Sequence, residues 1–228
     1  MQSHNINRLE IIAKGLGELN NRVVYVGGSV AEFYVTDPAK TDIRETLDID
    51  CVTHLSSYIE LAELEEALRK KGFKNDTSDG APICRWVYNG EIVDIMPDDE
   101  KIMGFTNKWY HEAQSSKEEC ILSNDIKIYI FSLPYYVATK LEAVNGRGGN
   151  DWRYSHDFED IVYILNYCPD FITIIRQVNG GLREYFKEEF TKIKMRTNIK
   201  EEIGCVLPYG EDDRIDIIMG VINDIANL

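Results

Sequence analysis

The chain has 228 residues and a formal net charge of −14, from 25 Lys and Arg against 39 Asp and Glu. With 44% hydrophobic and 11% aromatic residues it is not a disordered acidic tail, and its length suits one or two domains with a real core. The acidity argues against a charge-driven nucleic-acid binder, which needs a basic stripe, but leaves room for a local basic site or for metal-bound carboxylates.

Taken from the N-terminus, Ile6, Leu9, Ile12 and Leu16 recur at a helical period, predicting a helix over 6–19. Val23-Val24-Tyr25-Val26 is a short apolar run ended by Gly27-Gly28, and reads as a buried strand. Ser29 to Tyr34 reads as helical, and Thr36-Asp37-Pro38 breaks it. A second strand is expected over Leu47–Thr53. Ser57–Lys71 is a surface helix with Leu61, Leu64 and Leu68 on one side and Gly72 at its end. Ile83–Tyr88 and Glu91–Met96, joined by Asn89-Gly90, carry a strong hairpin signal.

Residues 98–126 show little pattern, and a further strand is expected at Lys127–Phe131. Ser132-Leu133-Pro134 starts a helix that runs to about Val144, and Asn145–Asn150 is a glycine-rich loop. Ser155 caps a helix over His156–Tyr167, with acids in its first turn. One or two helices fill 171–195, and a last one spans Asp212–Ala226. The order implies an α+β fold: a mixed β-sheet with an α/β-type core and flanking helices over 1–131, then a mostly helical part over 132–228.

No apolar run approaches the ~20 residues that span a bilayer, and the polar N-terminus lacks the apolar stretch of a signal peptide. The five cysteines are scattered, with no CxxC pair. This argues against a disulfide framework or zinc ribbon and for a reducing, cytoplasmic location without membrane contact. Three of the five sit in apolar contexts and read as small buried hydrophobes.

The chemistry concentrates in three segments. Asp48 and Asp50 alternate along one strand, so they share a face, while Ile49 and Cys51 take the other. Asp94 stands between Val93 and Ile95 on a later strand. If the strands are neighbours, three carboxylates converge, and such a group repels unless a cation compensates it. Mg²⁺ suits hard oxygen donors. A pair of such ions ~3.5–4 Å apart activates an attacking oxygen and stabilises a leaving one. Gly27-Gly28-Ser29 lets backbone approach a phosphate and places amides and a hydroxyl at a helix start.

This order of strand, Gly-Gly-Ser, Asp-x-Asp and a third Asp on an apolar strand resembles the nucleotidyltransferase superfamily that includes DNA polymerase β. The spacer from Ser29 to Asp48 is 19 residues (48 minus 29), longer than in the tightest members. Further on, Thr139-Lys140-Leu141-Glu142-Ala143, Arg147 and Ser155-His156-Asp157-Phe158-Glu159-Asp160-Ile161 are similar to AbiEii/AbiGii-type nucleotidyltransferases, several of which are toxins of toxin–antitoxin or phage-defence systems. The likeness covers about residues 20–167.

The resemblance implies an Mg²⁺-dependent transfer of a nucleoside monophosphate from a nucleoside triphosphate to an acceptor hydroxyl, with two ions expected. Asp48, Asp50 and Asp94 would be the catalytic and metal-binding residues. Gly27, Gly28, Ser29, Lys140, Arg147, Asp157 and Asp160 would bind the nucleotide, the helical part completing the site. RNA, tRNA ends or a protein hydroxyl are the implied acceptors, and an antitoxin the implied partner. A small-molecule, antibiotic-type acceptor and a non-catalytic nucleotide-binding module are the alternatives; an antitoxin-like structural partner would bind no triphosphate. Residues 183–196 alternate Arg183, Lys187, Lys192, Lys194 and Arg196 with Tyr185, Phe186 and Phe190, but Glu184, Glu188 and Glu189 dilute the charge, so a solvated helix is the simpler expectation.

Overall fold

Ser3 opens the first helix: its hydroxyl accepts the N–H of Ile6, and α1 runs over His4–Leu16 in the computed structural model. The structure describes residues 3–41 and 43–228, without the side chain of Asn124. Leu9, Ile12 and Leu16 are fully buried along α1, as their period requires. The helix ends at Leu16, three residues short of the expected Leu19, and a 3₁₀ turn over Gly17–Arg22 leads into β1, Val23–Val26. Ser29–Tyr34 is also helical, but of the 3₁₀ type, within Gly28–Tyr34.

β2 covers Ile49–Thr53 and so begins two residues after Leu47. Arg8 explains the late start. Its guanidinium donates to the carbonyls of Thr46 and Leu47, which a ladder would otherwise use. α2 (Tyr58–Lys70) is capped by Ser57 and buries Leu64 and Leu68. A short β3 (Lys74–Asn75) precedes β4 (Arg85–Tyr88) and β5 (Glu91–Pro97). Asn89 and Gly90 have φ of 50° and 87°, the left-handed pair that a two-residue hairpin turn needs.

The weakly patterned stretch holds two one-turn helices, α3 (Glu100–Met103) and α4 (Tyr110–Ala113), and an unforeseen strand, β6 (Lys117–Ile121). β6 is a mostly exposed edge strand, so burial imposes no alternation on it. β7 (Lys127–Phe131) follows as expected. The seven strands form one mixed sheet in the order β3-β4-β5-β2-β1-β7-β6. β1 and β2 are antiparallel, and β2–β5 and β1–β7 are parallel. The fold is α+β, as the element order implied. Centre strands covered on both faces read as continuous apolar runs, which is why β1 was legible.

Proximity within the chain defines two compact units, Met1–Val30 with Arg44–Ser132, and Ala31–Ile43 with Leu133–Leu228. The first holds the sheet. The second holds α5 (Leu133–Arg147), α6 (His156–Tyr167), α7 (Phe171–Gln177), α8 (Gly180–Lys194), α9 (Ile199–Val206) and α10 (Arg214–Ala226). α5 extends past Val144 into the glycine-rich segment, and α9 was not foreseen. Residues 31–43 join the helices because the N–H groups of Thr36 and Asp37 donate to the Tyr167 carbonyl, and Tyr163 donates to the carbonyl of Thr41. Phe186 and Phe190 of α8 and Ile218, Ile222 and Ile225 of α10 are buried where those helices pack. Among the described residues no helix is long and apolar enough to cross a membrane.

Candidate functional site

The glycine turn is shaped by what lies over it. Gly27 has φ +74°, and a methyl there would sit 2.1 Å from a carboxylate oxygen of Asp50. A methyl on Gly28 would meet the Arg44 guanidinium at 2.6 Å and Thr46 at 2.9 Å. The turn therefore brings bare backbone against one acid and one base. Gly27→Ala combines left-handed strain of about 1–3 kcal/mol with this clash, so it lowers stability by at least that amount. The denaturant midpoint measures the loss, and an unshifted midpoint would mean the turn relaxes freely. Ser29 is buried, and its hydroxyl donates to the Val26 carbonyl at 3.3 Å.

The register of the sheet brings the carboxylates together. Asp50 of β2 pairs with Asp94 of β5 in the parallel ladder, so both side chains leave one face. Asp48 stands in a bend just before β2. Its position is held from α1: Asn5 accepts the Thr46 N–H at 3.1 Å and donates to the Arg44 carbonyl at 3.1 Å, while Arg8 holds Thr46 and Leu47. Asn5 and Arg8 are both buried. No motif in the sequence marks them, because they act through the backbone of residues 44–47.

Arg85 is the further residue at this centre. It is the cross-strand partner of Asp94 in the β4–β5 hairpin. Its guanidinium grips Asp94 through two bonds of 2.8 Å and reaches Asp48 at 2.7 Å. The hydrogen bonds to Asp94 push the Arg85 guanidinium further into its charged form. Beneath the acids, burial pushes the Cys84 thiol up to about 12, with the Asp94 charge adding to it. Cys51 is likewise raised by burial first, then by Asp50 and Asp94. Both thiols stay neutral, which removes them as nucleophiles.

In the helical unit, Lys140 of α5 is buried between two acids of α6. Its ammonium lies 3.1 Å from Asp157 and 2.6 Å from Asp160. Asp157 and Asp160 are three apart, so one face of α6 carries both. Arg147, with its side chain 74% exposed, binds Asp157 at 2.7 and 3.0 Å. Burial pushes the Asp157 carboxyl up, but Lys140 and Arg147 outweigh it and hold it below the usual carboxylate value. Its stabilising contribution is complete above the unfolded pKa of ~3.9 and lost as pH falls through the lower folded value. Asp157→Asn should therefore flatten the acid limb of stability against pH below about 4. Equal slopes for wild type and variant would contradict this.

Tyr185, Phe186 and Phe190 are buried, so they offer no stacking platform to bases, and Trp86, Trp109 and Trp152 are packed as well. Lys192 pairs with Glu189 and Arg196 with Glu202. His156 is exposed and faces Glu159 at 3.2 Å. Cys51, Cys84 and Cys168 are the buried cysteines, and no disulfide links any of the five. No protein-family model and no curated protein matches the chain.

Proposed function

We propose that the chain is an Mg²⁺-dependent nucleotidyltransferase of the DNA polymerase β-like superfamily, resembling the AbiEii/AbiGii type, whose chemistry centres on Asp48, Asp50 and Asp94. The observation that carries this reading is the register match of Asp50 with Asp94, two residues after Asp48 and against the bare backbone of Gly27. The donor set fits the metal: hard carboxylate oxygens already share a cation, the Arg85 guanidinium. Asp48, Asp50 and Asp94 would hold Mg²⁺, which when bound supplies charge neutralisation and acidifies an acceptor hydroxyl.

The chain's own residues do the rest. Asp94 accepts the proton of the acceptor hydroxyl, whose oxygen bonds to the α-phosphorus as pyrophosphate leaves. Gly27 and Gly28 admit phosphate oxygens to the backbone, and Arg44, lying over Gly28, answers their charge. Arg85, bonded to Asp48 and Asp94, would have to give up at least one carboxylate oxygen for these acids to hold Mg²⁺. In the helical unit Lys140 holds Asp157 and Asp160 in place, and Arg147 binds Asp157 from the exposed side. The acceptor is an RNA, tRNA or protein hydroxyl, and the toxin role with a cognate antitoxin follows from the family likeness.

The Arg85 bridge favours one competing reading, a module that binds nucleotide without metal or turnover. Calorimetry with a nucleoside triphosphate separates the two. The transferase reading expects affinity to rise with Mg²⁺. Equal affinity with and without Mg²⁺ would support the module, and no binding at all would defeat both.

A further inference from the structure

A second cluster of metal-ligand residues lies at the other end of β2 and β5. Thr53 pairs with Pro97 at the close of that parallel ladder. His54 and Asp98 are the next residue on each strand, and the ladder is continued by the Asp98 N–H, which donates to the Thr53 carbonyl at 3.1 Å. His111 comes in from α4. From Asp94 to Asp98 is four strand residues, roughly 13 Å, so this group is separate from the Asp48–Asp50–Asp94 centre.

Its geometry is that of a coordination shell. Nδ1 of His54 lies 2.9 Å from Oδ2 of Asp98, and Nδ1 of His111 lies 3.2 Å from that same oxygen. The three ligand atoms all fall within 4.8 Å of one another. A tetrahedral site with bonds of ~2.0–2.1 Å has ligand–ligand edges of about 3.3–3.4 Å, so both contacts widen by only a few tenths of an ångström to admit an ion. The Asp98 side chain is fully buried, while those of His54 and His111 are 58% and 71% exposed. Among the described residues its ion-pair partners are these two imidazoles, which carry no permanent charge. Ser56, 3.4 Å from His54 Nε2, is placed to fix the ring's orientation from behind.

We propose that His54, Asp98 and His111 form a binding site for a divalent transition metal of the zinc class. Two imidazole nitrogens and one carboxylate suit such an ion and not Mg²⁺, which prefers an all-oxygen shell. Three protein ligands leave at least one position to water or to an incoming ligand, and the exposed ring edges keep that position open. This site is independent of the proposed transferase chemistry.

Zn²⁺ alone is the probe, titrated into the full chain by calorimetry above pH 7. The expected result is one saturable site, unaffected by excess Mg²⁺ and accompanied by proton release, since imidazole binds metal in its neutral form. Co²⁺ in its place should give the intense visible bands of a low-coordinate nitrogen–oxygen site. His54→Ala and His111→Ala remove exposed side chains, so both variants fold, and each should weaken Zn²⁺ at least ~10-fold. The double variant should lose the site while keeping every cysteine. Unchanged Zn²⁺ affinity in the double variant, displacement by Mg²⁺, or no binding by the wild type would each overturn the proposal.

Discussion

Asp50→Asn is expected to lower nucleotidyl transfer by at least about 100-fold, the scale seen when one preorganised electrostatic contact is removed from a reacting phosphate or acyl centre. The substitution keeps volume and shape, so Gly27 still meets a planar group of the same size. It leaves the Arg85–Asp94 pair intact, which Asp94→Asn would not. The unfolding midpoint is measured alongside transfer, because the substitution also removes one of three neighbouring negative charges. Lost transfer with an unchanged unfolding midpoint therefore reports chemistry and not folding. Wild-type rates of transfer in this variant would remove Asp50 from the mechanism.

Lys140→Met carries the largest expected cost in stability, about 3–5 kcal/mol. The change removes the ammonium between Asp157 and Asp160, leaving two buried carboxylates on one helix face with Arg147 at the edge of the pair. Typical domains hold ~5–15 kcal/mol in total, so the helical unit would be near its limit. Adding Asp160→Asn to Lys140→Met should recover part of the loss, because it removes the charge the lysine answered. Denaturant unfolding of the two single variants and the double gives the coupling, and additive losses would show that the contact is energetically idle.

How much of this was legible follows from where the constraints come from. The apolar runs of β1 and β5 and the Asn89-Gly90 turn are local signals, so the strands and the hairpin could be read directly. The position of Arg85 was also available: three back from Tyr88 and three on from Glu91 pairs it with Asp94, provided the turn is two residues long. The neighbouring of β2 and β5 was only a condition in the sequence, because parallel pairing is set by tertiary packing. Once that pairing exists, Asp50 meets Asp94 at one end and His54 meets Asp98 at the other. Neither His54 nor His111 stands at a spacing that suggests a shared ligand, since they come from different elements. Edge strand β6 and helix α9 lacked burial or capping patterns strong enough to be seen.

The surface charge question is sharpened by the helical unit. Tyr185, Phe186 and Phe190 of this unit are core, Tyr154 and Tyr209 are exposed, and Lys192 and Arg196 are paired with nearby glutamates. A protein or small-molecule hydroxyl makes fewer demands than RNA on a chain with a net charge of −14.

The most direct measurement is a pair of incubations with Mg²⁺, total RNA and cell lysate, using each nucleoside triphosphate labelled on the α- or the γ-phosphorus. Nucleotidyl transfer predicts that α-label becomes fixed to an acceptor while γ-label leaves as pyrophosphate, and that both signals vanish in Asp50→Asn. Fixation of γ-label, or release of neither label with any of the triphosphates, would contradict the account.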